Sequence, residues 1–171
     1  MRIRNDGWAV VVGDVDRAWR LEGPLAAAGL PWTAIEEPDD LTGLARPAGA
    51  ELTVLALPPT HEGAGPATRL LRETARIVAG RPRTARPRLW CVTLGGSERP
   101  GGADSVTARL WDLGRSVGQE LPGSWAGVLD LAPDPALDAP ERVAQFLAAD
   151  RPAGGVLAPR RDGAADPVTV R

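Results

Sequence analysis

The chain has 171 residues, enough for one domain with a substantial core, and 43% of them are hydrophobic, which argues against extensive disorder. The formal net charge of −2 offers no basic field for binding nucleic acid. No apolar run reaches the length of about 18 residues that spans a membrane, and the amino-terminal residues lack a signal-peptide pattern, so we expect a cytoplasmic protein.

Strands and helices are predicted to alternate along the chain. Short, β-branched apolar runs predict strands, and amphipathic stretches closed by glycine or opened by proline or an acidic cap predict helices. In chain order we predict strand 8–13, helix 16–28, strand 31–35, a short helix 39–45, strand 51–57, helix 66–79, strand 89–93, a helix from 104 or 105 to 120, strand 126–131, helix 139–149, and closing strands 155–158 and 167–171.

The first of these helices is irregular in its sequence. Trp19, Leu21, Leu25 and Ala28 have helix-like spacing and are predicted to face the core. Pro24 falls inside the stretch, which predicts a late helix start or a kink.

The alternating pattern predicts an α/β fold with three layers, Rossmann-like, in which a mostly parallel sheet is flanked by helices. We assign residues 1–150 to a single Rossmann-like domain. Residues 151–171 are rich in Pro, Gly and Arg and are interpreted as a tail with short closing strands, not as a core element.

The turn after the first strand is where a Rossmann domain binds pyrophosphate on several glycines. Here the turn has Gly13 alone, and Asp14 and Asp16 put negative charge where phosphate charge would lie. We therefore predict no cofactor site. The sequence also lacks a nucleophile elbow and a phosphate-binding loop, and we assign no catalytic and no metal-binding residue.

Cys91 is the single cysteine, which excludes an internal disulfide and any metal site with several cysteine ligands. It lies within the apolar run 89–93. We therefore predict a buried, inert thiol and not a nucleophile.

The tryptophans supply most of the aromatic core, because the chain has six Trp, one Phe and no Tyr. Trp90, Trp111 and Trp125 are predicted to fill the space between the sheet and the helices, each with a partner for its indole N–H. Gly114 would permit close helix packing, at a cost of about 1 kcal/mol relative to alanine.

Two interpretations of Arg115 remain open. It can form a surface or helix-end ion pair, with Glu120 as the candidate partner, or it can contact another domain, a role in which arginine is favoured.

Four short elements follow one another in the second half of the chain: Leu-Trp-Cys-Val-Thr at 89–93, Trp-x-Leu-Gly-Arg at 111–115, Glu-x-Pro at 120–122 and Trp-x-Gly-x-x-Asp-Leu at 125–131. In this order and spacing they resemble the structural subdomain of the ketoreductase of modular type I polyketide synthases, which is short-chain reductase-like. The match is strongest over 88–133 and weaker but collinear over 8–57. It implies a degenerate, truncated Rossmann half, since the chain ends where the catalytic half would begin.

The resemblance also implies how the work is divided. In that family the catalytic half carries the glycine-rich turn and the Ser, Tyr and Lys residues, whereas this chain contains no Tyr and no Lys. The resemblance therefore implies a non-catalytic scaffold, without cofactor, that braces a catalytic short-chain reductase or neighbouring synthase domains. We expect the interface on the helix of 105–120, with Trp111, Gly114, Arg115 and Glu120 as candidates, and a homo-oligomer is kept open as a way to cover that face.

Two alternatives stay open at this stage. The chain can be a separately encoded piece of a split NADPH-dependent β-ketoreductase that is active only with a partner supplying Tyr and Lys. It can also be an α/β interaction protein with no connection to polyketides.

Overall fold

The computed structural model describes residues 7–44, 49–96, 104–149 and 155–159. These residues form one six-stranded sheet in the order β2-β1-β3-β4-β5-β6, with every pairing parallel. The strands are β1 (Gly7–Gly13), β2 (Trp32–Ile35), β3 (Glu51–Leu57), β4 (Arg88–Leu94), β5 (Trp125–Leu131) and β6 (Val156–Leu157).

Helices cover both faces of the sheet, so the predicted three-layer, parallel α/β architecture is confirmed. One core cluster lies between the sheet and the helices α2 and α3, and a second lies between the opposite face and α1 and α4. Strands buried on both faces need continuous apolar runs, which is why these strands could be predicted from the sequence. The helices are α1 (Glu22–Ala27), α2 (Ala64–Ala79), α3 (Ser105–Glu120) and α4 (Pro140–Ala148).

The predicted first helix is two elements, and the predicted burial of Trp19 is wrong. Residues Val15–Leu21 form a 3₁₀ helix, and α1 follows directly with Pro24 in its first turn. A 3₁₀ helix has about three residues per turn, so Ala18 and Leu21 share the inward side and Trp19 is turned away from it. Trp19 is 57% exposed as a result.

The other helix ends agree closely with their sequence signals. The Asp104 side chain caps α3 by accepting a hydrogen bond from the Thr107 N–H at 2.8 Å, and Pro140 opens α4. The short helix predicted over 39–45 is a 3₁₀ helix, Pro38–Leu41, with Asp39 and Asp40 in its first turn as expected. Position 45 lies outside the described residues.

The closing strand predicted over 155–158 is confirmed in a shorter form, β6. Val156 and Leu157 are buried and pair with Val128 and Leu129 of β5, so they belong to the core and not to the tail predicted for 151–171. Two apolar residues are enough because they extend a hydrophobic sheet that is already formed. The strand predicted over 167–171 lies outside the described residues. Within the described ranges no helix is long and apolar enough to cross a bilayer.

Trp125 fixes the distance between α3 and the sheet. A Cβ on Gly114 would lie 3.0 Å from Trp125 Cζ2, and a Cβ on Gly118 would lie 2.8 Å from Trp125 Cδ1. The indole of β5 therefore lies against a strip of α3 backbone that only glycine leaves open. The close packing predicted at Gly114 is confirmed, and Gly118 extends it by one turn.

A bulky side chain on this strip should destabilise the fold. We expect Gly118→Val to lower the free energy of unfolding by about 1–3 kcal/mol, the usual cost of overpacking, because the valine methyl groups would overlap the Trp125 ring. Chemical denaturation followed by circular dichroism measures the change. The control is Gly43→Val, an exposed position with a negative φ and nothing near its added Cβ, where the change should stay within about 0.5 kcal/mol. Equal losses at the two positions would contradict this packing.

Candidate functional site

A cleft of about 170 Å³ lies at the carboxyl ends of β1, β2 and β3. β1 lies between β2 and β3, so the connection from β2 to β3 must cross over β1. In doubly wound sheets such a change of direction opens a crevice at the carboxyl ends of the strands, where ligands generally bind. The topology itself therefore makes this cleft the candidate site.

Packing dictates the turn after β1 that enters the cleft. Gly13 has a φ of 122°, and a Cβ there would lie 2.5 Å from the Leu57 carbonyl oxygen and 2.8 Å from Leu70 Cδ2. The N–H of Asp14 then donates to the same carbonyl at 2.9 Å. The single glycine is thus required by β3 and α2, not by the approach of a ligand.

The Asp14 carboxylate is buried at the edge of the cleft, with 6% of its side chain exposed. Its Oδ2 lies 3.6 Å from Arg17 Nε and 3.7 Å from His61 Nδ1, and it accepts no hydrogen bond within the described residues. Asp16 also lines the cleft. The prediction that these two residues place negative charge at this turn is confirmed.

The remaining lining makes the cleft strongly acidic. Arg69 and the imidazole of His61 are outnumbered by carboxylates, which belong to Asp14, Asp16, Glu36, Glu37, Glu62 and Glu73. A pyrophosphate needs backbone N–H donors and positive potential, and here the carboxylates would repel it. The residues present do not fit a dinucleotide. Within the described ranges no group of His, Cys, Asp or Glu side chains is arranged to hold a metal ion either.

A second polar site is buried at the end of β5, where sequence reasoning assigned no role. Asp130 is fully buried, and its Oδ1 accepts hydrogen bonds from the Thr93 hydroxyl at 2.8 Å and from the Gly96 N–H at 2.9 Å. The Trp111 indole N–H donates to Thr93 Oγ1 at 3.4 Å. These bonds join β4, β5 and α3. The signal in the sequence was a lone carboxylate in an otherwise apolar strand.

The glycine pair that follows β4 serves this site. A Cβ on Gly96 would lie 2.6 Å from Thr107 Cγ2, and a Cβ on Gly95 would lie 2.8 Å from Pro133 Cγ. Gly95 also has a φ of 71°. The backbone turns here so that the Gly96 N–H reaches Asp130, which explains two adjacent glycines without any phosphate-binding role.

Cys91 is the buried thiol that the sequence predicted. It is fully buried in β4, and its burial, followed by the negative charge of Asp130, raises the pKa of the thiol from 9.0 to about 12. The thiolate that a nucleophile needs is therefore disfavoured at neutral pH.

The structure separates the four candidate interface residues into two kinds. Trp111 and Gly114 are buried in the chain's own core, where the helix turns them toward β4 and β5, so neither is exposed for the interface predicted for them. Arg115 and Glu120 are exposed on the outer side of α3. Arg115 pairs with Asp112 and not, as predicted, with Glu120, because the i, i+3 spacing brings the first pair together.

The three core tryptophans are buried as predicted, but their indole N–H groups are not all hydrogen-bonded. Trp111 has its hydrogen-bond partner, whereas the buried indole N–H of Trp90 has none among the described residues. The prediction of a partner is therefore wrong for Trp90, which lies among the apolar side chains between the sheet and the α1–α4 layer.

Comparison with known proteins connects this fold to one enzyme class. The chain is 36% identical over 140 residues to the pikromycin polyketide synthase component PikAIII of Streptomyces venezuelae, a match that covers 75% of this chain and 8% of that protein. The structure is similar to a C2-type ketoreductase from a modular polyketide synthase, with a TM-score of 0.59 and 25% identity over 92% of this chain and 39% of the other. The chain is therefore ketoreductase-like and is similar to part of a modular polyketide synthase.

The fold alone is supported by a further structure, the first ketoreductase of the tylosin polyketide synthase, with a TM-score of 0.62 and 23% identity over 92% of this chain and 37% of that one. The ketoreductase-like chain thus spans well under half of the solved ketoreductases. No family model matches it.

Cys91 should make this ketoreductase-like chain lose stability in alkali. A thiol whose pKa is raised by folding ionises first in the unfolded state, so stability is fully present below pH 9.0 and falls as the pH rises toward about 12. The chain has no Lys and no Tyr, so Cys91 is the side chain expected to titrate in this window. Urea unfolding of wild type and Cys91→Ala at about pH 8 and about pH 10.5 measures the effect.

The wild-type midpoint should fall between the two pH values, while that of Cys91→Ala stays nearly constant after its uniform loss from the smaller side chain. A parallel decline in both proteins would show that another group is responsible.

Proposed function

We propose that the chain is a non-catalytic structural module of polyketide biosynthesis that braces a catalytic short-chain reductase. Its relation to polyketide synthase ketoreductases supports the pathway and an association with other synthase domains. The cleft that carries the proposal is the one at the switch in strand order, where Asp14 and the neighbouring carboxylates replace a phosphate-binding turn.

The amino-acid composition also supports a non-catalytic role. Reduction of a β-keto group requires a hydride carrier and a group that protonates the new alkoxide. The resemblance assigns the protonation to a Tyr, and the positioning of that Tyr and of the cofactor ribose to a Lys, and the 171 residues contain neither. Cys91 does not replace them, because the thiol is buried with a raised pKa, and His61 lies in the acidic cleft, whose carboxylates do not fit the dinucleotide that would deliver the hydride.

The fold is suited to bracing because its polar interior is closed on itself. Asp130 and Trp111 use their hydrogen bonds to hold β4, β5 and α3 together, which leaves α3 as a rigid element whose outer side is exposed. Arg115 and Glu120 lie on that outer side. We therefore assign the partner surface to the exposed side of α3.

The proposal is tested by reconstitution. The catalytic short-chain reductase half of a related ketoreductase, produced without its structural half, is mixed with this chain and assayed for NADPH-dependent reduction of a β-keto thioester. We expect no turnover by this chain alone, and a rise of about tenfold or more in the partner's activity together with a higher melting temperature of the mixture, since a bound partner stabilises the folded state.

Two exposed arginines of this chain separate docking from nonspecific effects. Arg115→Glu should weaken the stimulation, because it reverses a charge on the proposed surface, whereas Arg83→Glu, in the exposed 3₁₀ helix Arg83–Ala85, should leave it unchanged. Turnover by the isolated chain would refute the non-catalytic assignment. Unchanged activity and stability of the partner on mixing would refute the bracing role.

A further inference from the structure

Two strips of opposite charge run side by side on the α2 side of the molecule. The arginine strip consists of Arg69, Arg72 and Arg76, which are exposed and spaced so that they share one side of α2. The acidic strip covers positions 36–40, at the end of β2 and the start of the 3₁₀ helix Pro38–Leu41, where Glu36, Glu37, Asp39 and Asp40 are exposed.

The two strips are neighbours because their elements pack together. The 3₁₀ helix Pro38–Leu41 lies against α2, and Arg81, just beyond the end of α2, donates a hydrogen bond to the Leu41 carbonyl oxygen at 3.0 Å. Glu36, Glu37 and Arg69 line the same acidic cleft. The strips therefore lie on one continuous surface.

Neither strip is neutralised within the part of the chain that the structure describes. The ion pairs found there join Arg17 and His61 to Asp14, His61 to Glu62, and Arg115 to Asp112, and none includes a residue of either strip. The acidic strip holds its charges within five consecutive positions, so it repels itself as well. Each strip would gain from an opposite charge supplied by another molecule.

We propose that this surface is self-complementary and that a second copy of the chain docks on it. A two-fold axis between the strips would place the arginine strip of each copy against the acidic strip of the other. Charge complementarity identifies the occupant, since the required counter-strip is present on the chain itself. The net charge of −2 is small enough that the copies do not strongly repel one another at a distance.

The predicted association is weak and sensitive to salt. Exposed ion pairs gain little individually and are screened by mobile ions, so the dimer depends on several pairs that form together. Sedimentation of the full chain over a concentration series, at about 0.01 M and about 1 M salt, compares Debye lengths of about 30 Å and about 3 Å. We expect the mass to approach that of a dimer in the first condition and that of a monomer in the second.

Charge-reversal variants test whether the two strips form the dimer interface. Arg72→Glu with Arg76→Glu, and separately Asp39→Arg with Asp40→Arg, should each weaken self-association at low salt by at least about tenfold, because like charges then face each other twice. An equal mixture of the two variants should form a dimer again, since every facing pair of strips in the mixed dimer is opposite in charge. The control, Arg83→Glu with Thr84→Glu and Gln145→Glu, makes the same change in net charge as the arginine variant at exposed positions outside the strips and outside α3, and it should associate like the wild type.

Circular dichroism of each variant establishes that it is folded before association is compared. A wild type that stays monomeric at low salt would overturn the proposal. So would a dimer that persists at about 1 M salt, or reversal variants that fail to associate when they are mixed.

Discussion

The hydrogen bonds that the buried carboxylate of Asp130 accepts are the interactions on which most of this structure depends. The carboxylate is a charge taken entirely out of water, and such a group is tolerated only when hydrogen bonds replace its hydration. The Thr93 hydroxyl and the Gly96 N–H provide them, and Trp111 extends the network into α3. One side chain thereby fixes the end of β5, the turn after β4 and the position of a helix.

The same network has consequences beyond packing. It requires the glycines of the turn after β4, since a side chain at Gly96 would collide with Thr107 and Trp111. It contributes, after burial, to the raised pKa of Cys91 and so keeps the one thiol of the chain protonated. Gly96 could suggest phosphate binding in the sequence, and Cys91 could suggest nucleophilic chemistry, but both residues serve the packing of the fold. The crevice at the strand switch, where an α/β fold usually binds its ligand, is instead lined with carboxylates.

Much of the fold could be predicted from the sequence, because strands buried on both faces must be apolar throughout and the helix caps are local signals. Trp19 could not be placed, since the difference between a 3₁₀ and an α-helix rotates its side chain by tens of degrees and leaves almost no trace in composition. The strand at 155–158 was predicted, but the Pro, Gly and Arg around it led to its interpretation as part of a tail and not of the core. Only part of the acidic lining of the cleft could be predicted. Asp14 and Asp16 follow β1 directly, whereas Glu62 and Glu73 join them only through tertiary packing. Glu120 was predicted as the partner of Arg115 although it lies five positions away, whereas the helix brings Asp112, at the i, i+3 spacing, beside the guanidinium.

We propose that this ketoreductase-like chain supports reductive chemistry without holding the cofactor itself, and calorimetric titration of the isolated chain with NADPH is the most direct test. An acidic cleft with a buried Asp14 at the phosphate position predicts no saturable heat up to millimolar cofactor. Saturable binding with one site per chain, weakened by Arg69→Glu in the lining of the cleft, would contradict this proposal.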